Sequence, residues 1–252
     1  MGYKAVCRFI SSTGSSAGIT AAKIVICLPA CVYTPATDGY YNCIYGNLWA
    51  VPLEMISWTR PPKILRHVYS LSLWQCWLDQ NVLFSFDDGP SPYTEMLLDL
   101  AVSYNHSFAF FLLPEHVQAH PSIVLRMANE GHVVGSHFYK HRNYFLDKKS
   151  LFLQSVRESI EVIQSICQHE VVYCRSPYGR LFPHQQKWLS QAGYKHVFWS
   201  LDSKDYLNEP ADKVIERIQK NLKNKDIVLM HDGPNSHPEL VRIVEQTLKS
   251  IN

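Results

Sequence analysis

The sequence predicts an α/β fold, a distorted (β/α) barrel of about six to seven βα units. Three observations carry that prediction. From Val82 to the C-terminus, short apolar runs of strand length alternate with stretches of three-four apolar spacing. Nearly every polar cluster falls just after a strand, the edge where parallel α/β folds place their chemistry. The first and last strands both carry such a cluster. An open six-stranded sheet would hold those two strands roughly 24 Å apart at about 4.8 Å per step, whereas a closed barrel brings them together.

The first strand is Val82, Leu83, Phe84 and Phe86 within VLFSFDDGP, stopped by Gly89-Pro90, so Asp87 and Asp88 sit at its C-terminal end. Neighbouring carboxylates on extended backbone point opposite ways. At a turn they can converge, and then they repel unless a cation or hydrogen bonds hold them. Asp-Asp-Gly-Pro is also an ordinary turn sequence, and that reading stays open. Met96, Leu97, Leu100, Ala101 and Tyr104 mark the next helix face, and Ser107 to Leu113 the second strand. Ile123, Val124 and Met127 form a helical stripe ended by Gly131, and Val133 to His137 is the third strand. Leu153, Val156, Ile160, Ile163 and Cys167 lie on one long helix ahead of strand Val171 to Cys174. Trp188, Leu189 and Ala192 precede Gly193. A strand from Lys195 to Leu201, a helix from Asp212 to Leu222, a strand from Ile227 to Met230 and a last helix through Leu240 and Ile251 complete six βα units.

Upstream, residues 51–80 read as a lead-in packing on the barrel, with Ile64, Leu65, Val68, Leu71 and Leu73 at roughly helical spacing after a Pro-Pro turn. Residues 1–50 form a separate N-terminal extension. Its Ser and Thr crowd positions 11–16, and no acidic residue precedes Asp38, a targeting-like composition. The apolar run Ile24 to Tyr33 is too short to span a bilayer but has the length of a signal core, and Thr34-Pro35-Ala36 loosely matches a cleavage site. A disordered or loosely packed extension ranks ahead of a cleaved signal, and a membrane anchor comes last, so cytoplasmic and cell-envelope or exported locations both stay open. The Tyr40, Tyr41, Tyr45 and Trp49 cluster suits some packing on the domain.

Lys+Arg 24 against Asp+Glu 22 leaves a net charge of +2, which gives no electrostatic case for nucleic acid or an anionic membrane. No stable membrane span is expected, and the oligomeric state is not legible. Seven cysteines, with no Cys-x-x-Cys pair and wide spacings through Cys76, Cys167 and Cys174, suggest neither a disulfide framework nor a zinc knuckle, and Cys27 and Cys31, four apart in an apolar stretch, read as core packing.

His137 and His141, four apart, could reach one ion, and with a carboxylate they make a donor set suited to Zn²⁺, Co²⁺, Mn²⁺ or Fe²⁺. Singly, each is an unremarkable histidine. His106, His116, His120, His132, His169, His184, His196 and His237 read as structural or solvated.

Phe86-Asp87-Asp88-Gly89-Pro90, His137-x-x-x-His141, Arg175-x-Pro177-Tyr178, Asp202-x-x-Asp205 and Leu229-x-His231, in that order, resemble the five motifs of the polysaccharide deacetylase family, also called the NodB-homology domain or carbohydrate esterase family four. The resemblance runs from about Val82 to the C-terminus and implies a TIM-barrel-like catalytic domain over residues 81–252. It implies an N-deacetylase that hydrolyses the acetamido group of N-acetylglucosamine-type sugars, chitooligosaccharide and peptidoglycan among them, and releases acetate. Asp88, His137 and His141 would hold a divalent metal, Zn²⁺ first with Co²⁺ or Mn²⁺ as alternatives. Asp87 would be the general base and His231 the general acid. Asp205 would orient Arg175, which in turn tunes Asp87. The Tyr178 N–H would hold the oxyanion beside Pro177, and Leu229 would line the acetyl-methyl pocket.

Three residues depart from the family pattern. Phe138 stands where Ser or Thr is usual, removing a hydroxyl that would brace the metal loop and lowering the expected metal affinity. Tyr206 replaces a Trp, and Ser85 a Thr. Two rival readings follow. A two-His-one-carboxylate iron oxygenase would leave Asp87, Arg175 and His231 without a role. A carbohydrate-binding pseudo-enzyme of the same fold would keep the groove and lose the chemistry.

Overall fold

The computed structural model describes residues 58–251 and the backbone of two short strands, Tyr33–Pro35 and Tyr41–Cys43, which pair antiparallel. The rest of the N-terminal extension, with its apolar run and aromatic cluster, lies outside the described residues. Among those residues no helix is long and apolar enough to cross a membrane.

Seven parallel strands form one sheet. They are β1 (Val82–Asp87), β2 (Ala109–Leu112), β3 (Val133–Ser136), β4 (Tyr173–Cys174), β5 (Lys195–His196), β6 (Leu201–Asp202) and β7 (Asp226–His231). Their spatial order is β5-β4-β3-β2-β1-β7-β6. The helices are α1 (Lys63–Val68), α2 (Pro92–Ser103), α3 (Pro114–Ala119), α4 (Pro121–Asn129), α5 (Lys149–Cys167), α6 (Pro183–Gln191), α7 (Ala211–Asn221) and α8 (Leu240–Lys249).

The sheet must curl. Its edge strands β5 and β6 are consecutive in sequence, and the extended chain from His196 to Leu201 reaches at most about 18 Å. Seven flat strands would put those edges about 29 Å apart. The single strand expected over Lys195–Leu201 is therefore two, each on a different edge, because the chain uses Val197–Ser200 to cross the opening of the barrel. The lead-in packs at that opening: Leu73 pairs with Val197, Trp74 stacks on Phe198 at 4.4 Å, and Arg60 makes a paired ion bridge to Asp226 at 2.7 and 2.8 Å.

Burial departs from the expected faces in two places. In the lead-in, α1 buries no residue, and Ile64, Val68 and Leu71 are exposed. Its anchors are Ser72, Trp74 and Cys76, which follow strand rather than helix periodicity. In α2 the buried positions are Thr94, Leu97, Leu98 and Ala101, and Met96 is exposed. Buried Cys76, Cys167 and Cys174 are free thiols.

All six residues of β1 are buried, so the strand is covered on both faces, its polar Ser85 and Asp87 included. Phe84 and Phe86 share one face and meet Phe108 and Phe110 at 5.3 to 5.9 Å. Ser85 and Asp87 lie on the other. In β7 the same parity puts Leu229 on the face of His231, and the register sets Asp87 opposite His231.

Candidate active site

The C-terminal edge of the sheet gathers the polar clusters. Asp87 is the last residue of β1, and Asp88 turns the chain with φ at +73°, a left-handed conformation that Asp tolerates better than most residues. That turn is how two adjacent carboxylates come to serve one site. Gly89 is required next: a Cβ there would lie 2.4 Å from the Asp232 carboxylate oxygens.

His137 follows β3 and is 2 % exposed, and its N–H continues the sheet by donating to the Leu112 carbonyl. Its Nε2 stands 3.6 Å from Asp88 Oδ1, and His141 Nε2 stands at the same distance from that oxygen. The donor atoms of all three residues lie within 4.8 Å of one another. Asp88 Oδ1 is buried and finds no hydrogen-bond partner among the described residues. A buried carboxylate oxygen facing two imidazoles at 3.6 Å is too far for hydrogen bonding and fits a cation between them. Burial pushes His137 down to about 3, so its ring is neutral and has a lone pair to offer.

Arg175, just past β4, is fully buried and lies over the Phe111 ring at 4.0 Å. It donates to Asp87 Oδ1 at 2.8 Å, Ser85 Oγ at 3.0 Å and the carbonyls of Val197 and Phe198. Burial raises the Asp87 carboxyl, and the charges of Arg175, His231 and His141 pull against that rise. Asp205 does not orient Arg175. Its Oδ1 accepts from His231 Nδ1 at 2.9 Å, and its Oδ2 accepts from the His231 backbone N–H at 2.8 Å. The reason is topological: Asp205 follows β6, which neighbours β7, whereas the Arg175 guanidinium enters from β4 and is directed at β1. Burial opposes the charge on His231, but Asp205, with Asp87 and Asp88, outweighs it and lifts the ring to about 10. Asp202 serves its own loop, accepting from the Lys204 N–H and the Tyr206 hydroxyl.

Pro177, Tyr178 and Gly179 form a tight turn with Tyr178 at φ +59°. The Tyr178 ring, half exposed, meets the His141 ring at 4.4 Å, and its N–H has no partner among the described residues. Leu229 is buried on the His231 face of β7.

A model of the polysaccharide deacetylase family matches residues 77–197. A peptidoglycan-N-acetylglucosamine deacetylase of Bacillus cereus is 30% identical over 182 residues, 72% of this chain and 66% of its own length. A chitooligosaccharide deacetylase of Rhizobium leguminosarum bv. trifolii is 30% identical over 178 residues, 69% of this chain and 83% of its own. The chain belongs to the polysaccharide deacetylase family. Its fold agrees with a solved peptidoglycan N-acetylglucosamine deacetylase, crystallised with 4-naphthalen-1-yl-N-oxidanyl-benzamide, at a TM-score of 0.69 and 28% identity over 77% of this chain and 91% of that one. Polysaccharide deacetylases are hydrolases of carbon–nitrogen bonds in linear amides, and this chain is one of them.

In this polysaccharide deacetylase, the loop around Phe138 has its own set of hydrogen bonds. Phe138, at φ +64°, buries its ring against Tyr144 and Phe152 at 5.1 and 5.4 Å. The loop between His137 and His141 is braced by hydroxyls: Ser136 Oγ accepts from the Phe138 N–H, Ser155 Oγ from the Tyr139 N–H, and the Tyr144 hydroxyl from the Lys140 N–H. Ser85 accepts from Arg175 and donates to the Val228 carbonyl.

Two supports were given no specific role by the sequence. His116 in α3 bonds the Asp88 carbonyl through Nδ1 at 2.6 Å. Asp232 is fully buried, accepts from Thr94 Oγ1 at 2.5 Å and has its other oxygen unpartnered. Both lie far in sequence from what they hold, so no local spacing announces them. His196, expected to be structural, bridges Ser72 and Ser176 beneath the Pro177 turn.

Proposed function

We propose that the protein is a metal-dependent N-deacetylase that removes the acetyl group from N-acetylglucosamine-type units of an oligosaccharide or polysaccharide. The observation that carries this is the unpartnered Asp88 oxygen facing His137 and His141, beside an acid-base pair set across β1 and β7. A divalent cation held by Asp88, His137 and His141, Zn²⁺ first and Co²⁺ or Mn²⁺ as alternatives, would acidify a water and polarise the acetamide carbonyl.

The chain's own groups account for the proton movements. Asp87, fixed by Arg175, takes a proton from the attacking water as the new carbon–oxygen bond forms. The N–H of Tyr178 offers a hydrogen bond to the developing oxyanion. His231 is held protonated by Asp205 through Nδ1, which leaves Nε2 to deliver its proton to the amine nitrogen as the carbon–nitrogen bond breaks. Leu229, buried below His231, suits the acetyl methyl. Acetate and a free amino sugar leave. An N-acetylated glycan as partner is supported by the names of the two curated relatives, and the unsupported pseudo-enzyme reading becomes an outcome of the test.

Acetate release from N-acetylglucosamine oligomers and from peptidoglycan is the deciding measurement, with metal-stripped protein before and after Zn²⁺ or Co²⁺. Metal-restored release that vanishes in Asp87→Asn is expected. No release from either glycan by metal-loaded protein would sink the proposal, and retained glycan binding in that case would favour the binding module.

A further inference from the structure

The turn that aims Asp88 at the two histidines is unfavourable in itself, since a left-handed residue costs on the order of 1 kcal/mol and persists only where its surroundings impose it. The start of α3 grips this turn at two consecutive carbonyls. The Leu113 N–H donates to Gly89 O at 3.1 Å, and His116 Nδ1 lies 2.6 Å from Asp88 O. A carbonyl oxygen only accepts, so Nδ1 carries the proton in this bond. From the opposite side Gly233 closes against Asp88, where a Cβ would come within 2.7 Å of the Asp88 Cβ. Of these contacts, His116 alone reaches the Asp88 peptide with a side chain.

We infer that His116 is a positioning residue for the metal centre: its Nδ1–H holds the Asp88 carbonyl, and with it the left-handed turn that presents the Asp88 carboxylate to His137 and His141. The inference rests on the metal-site reading above, but not on the glycan or on turnover. His116 makes no contact with the ion itself and acts through Asp88. Loss of an outer partner of this kind costs about 10- to 100-fold in metal affinity.

The test uses the full chain, metal-stripped, titrated with Co²⁺ and followed by visible absorption, which reports ligand number and geometry, alongside a thermal melt of each apo-protein. His116→Leu keeps the bulk and removes the donor; His116→Asn places an N–H the same two bonds from Cβ. We expect His116→Leu to bind Co²⁺ about 10- to 100-fold more weakly with an altered absorption band, and His116→Asn to restore both, with the melts unchanged. Wild-type affinity and spectrum in His116→Leu would overturn the inference. So would equal weakening in both variants, or a wild-type chain that takes up no Co²⁺. Acetate release is not part of the readout, so a chain that binds Co²⁺ and deacetylates nothing still decides the role of His116, while the deacetylase reading falls separately.

Discussion

Two turns with the same ending stand side by side at the edge of the sheet: Asp87-Asp88-Gly89-Pro90 after β1 and His231-Asp232-Gly233-Pro234 after β7. Their first residues are register partners, and each is held by a buried group of opposite charge, Asp87 by Arg175 and His231 by Asp205. Their glycines interlock, Gly89 against Asp232 and Gly233 against Asp88. The second residues diverge. Asp88 is left-handed and directs an unpartnered oxygen at two imidazoles. Asp232 has no positive φ, is sealed from solvent and bonds Thr94 of α2. Identical Asp-Gly-Pro sequences thus place one carboxylate at the proposed metal site and the other as an internal brace. What separates them is which long-range partners surround each carboxylate.

The comparison breaks most visibly at Asp88. Asp88→Asn should abolish retention of Zn²⁺ after gel filtration and cut acetate release by about 10³-fold or more, with no loss in thermal stability of the apo-protein. Asp232→Asn should keep the metal. A mutant pair with equal metal loss would erase the distinction drawn between the two turns.

Next in size is the pairing of the first residues. Arg175→Met leaves Asp87 charged and buried without a partner, and the expected cost is about 3–5 kcal/mol in urea unfolding. A loss below about 1 kcal/mol would mean that water replaces the guanidinium.

Asp205→Asn tests the other pair through pH. Asp205 favours the charged imidazolium, so its removal lowers the pKa of His231, and the ring gives up its proton at lower pH. The alkaline limb of kcat/KM should move downward in pH while the acid limb stays in place. An unmoved alkaline limb would assign it to another group.

The last effect is a pH-dependent change in the stability of Asp232→Asn. Burial, with Asp88 and Asp87 nearby, raises the Asp232 carboxyl to about 7 in the fold, and the Thr94 bond only partly offsets this. Its protonated form is favoured by folding, so that contribution is complete below the ordinary carboxylate range and is lost as pH rises through about 7. The apo-variant should gain stability over wild type at pH 8 and nothing at pH 4, read by denaturant midpoints. A gain of the same size at both would remove the charge from the explanation.

What the sequence determined by itself is local. Apolar runs of strand length, helical spacings and the Gly-Pro stops report short-range sterics and burial, so the order of the elements and the placing of polar residues at strand ends are legible from them. Tertiary structure alone decided how distant segments meet. It split Lys195–Leu201 between two sheet edges, and it gave Asp205 to His231 instead of Arg175, because pairing follows strand neighbours and not sequence separation. It brought the hydroxyls of Ser136, Ser155 and Tyr144 to the backbone of residues 138–140. It also set the left-handed turn at Asp88 and brought His116 to that residue's carbonyl, since a strained conformation is maintained by contacts from outside its own segment and no local spacing records them.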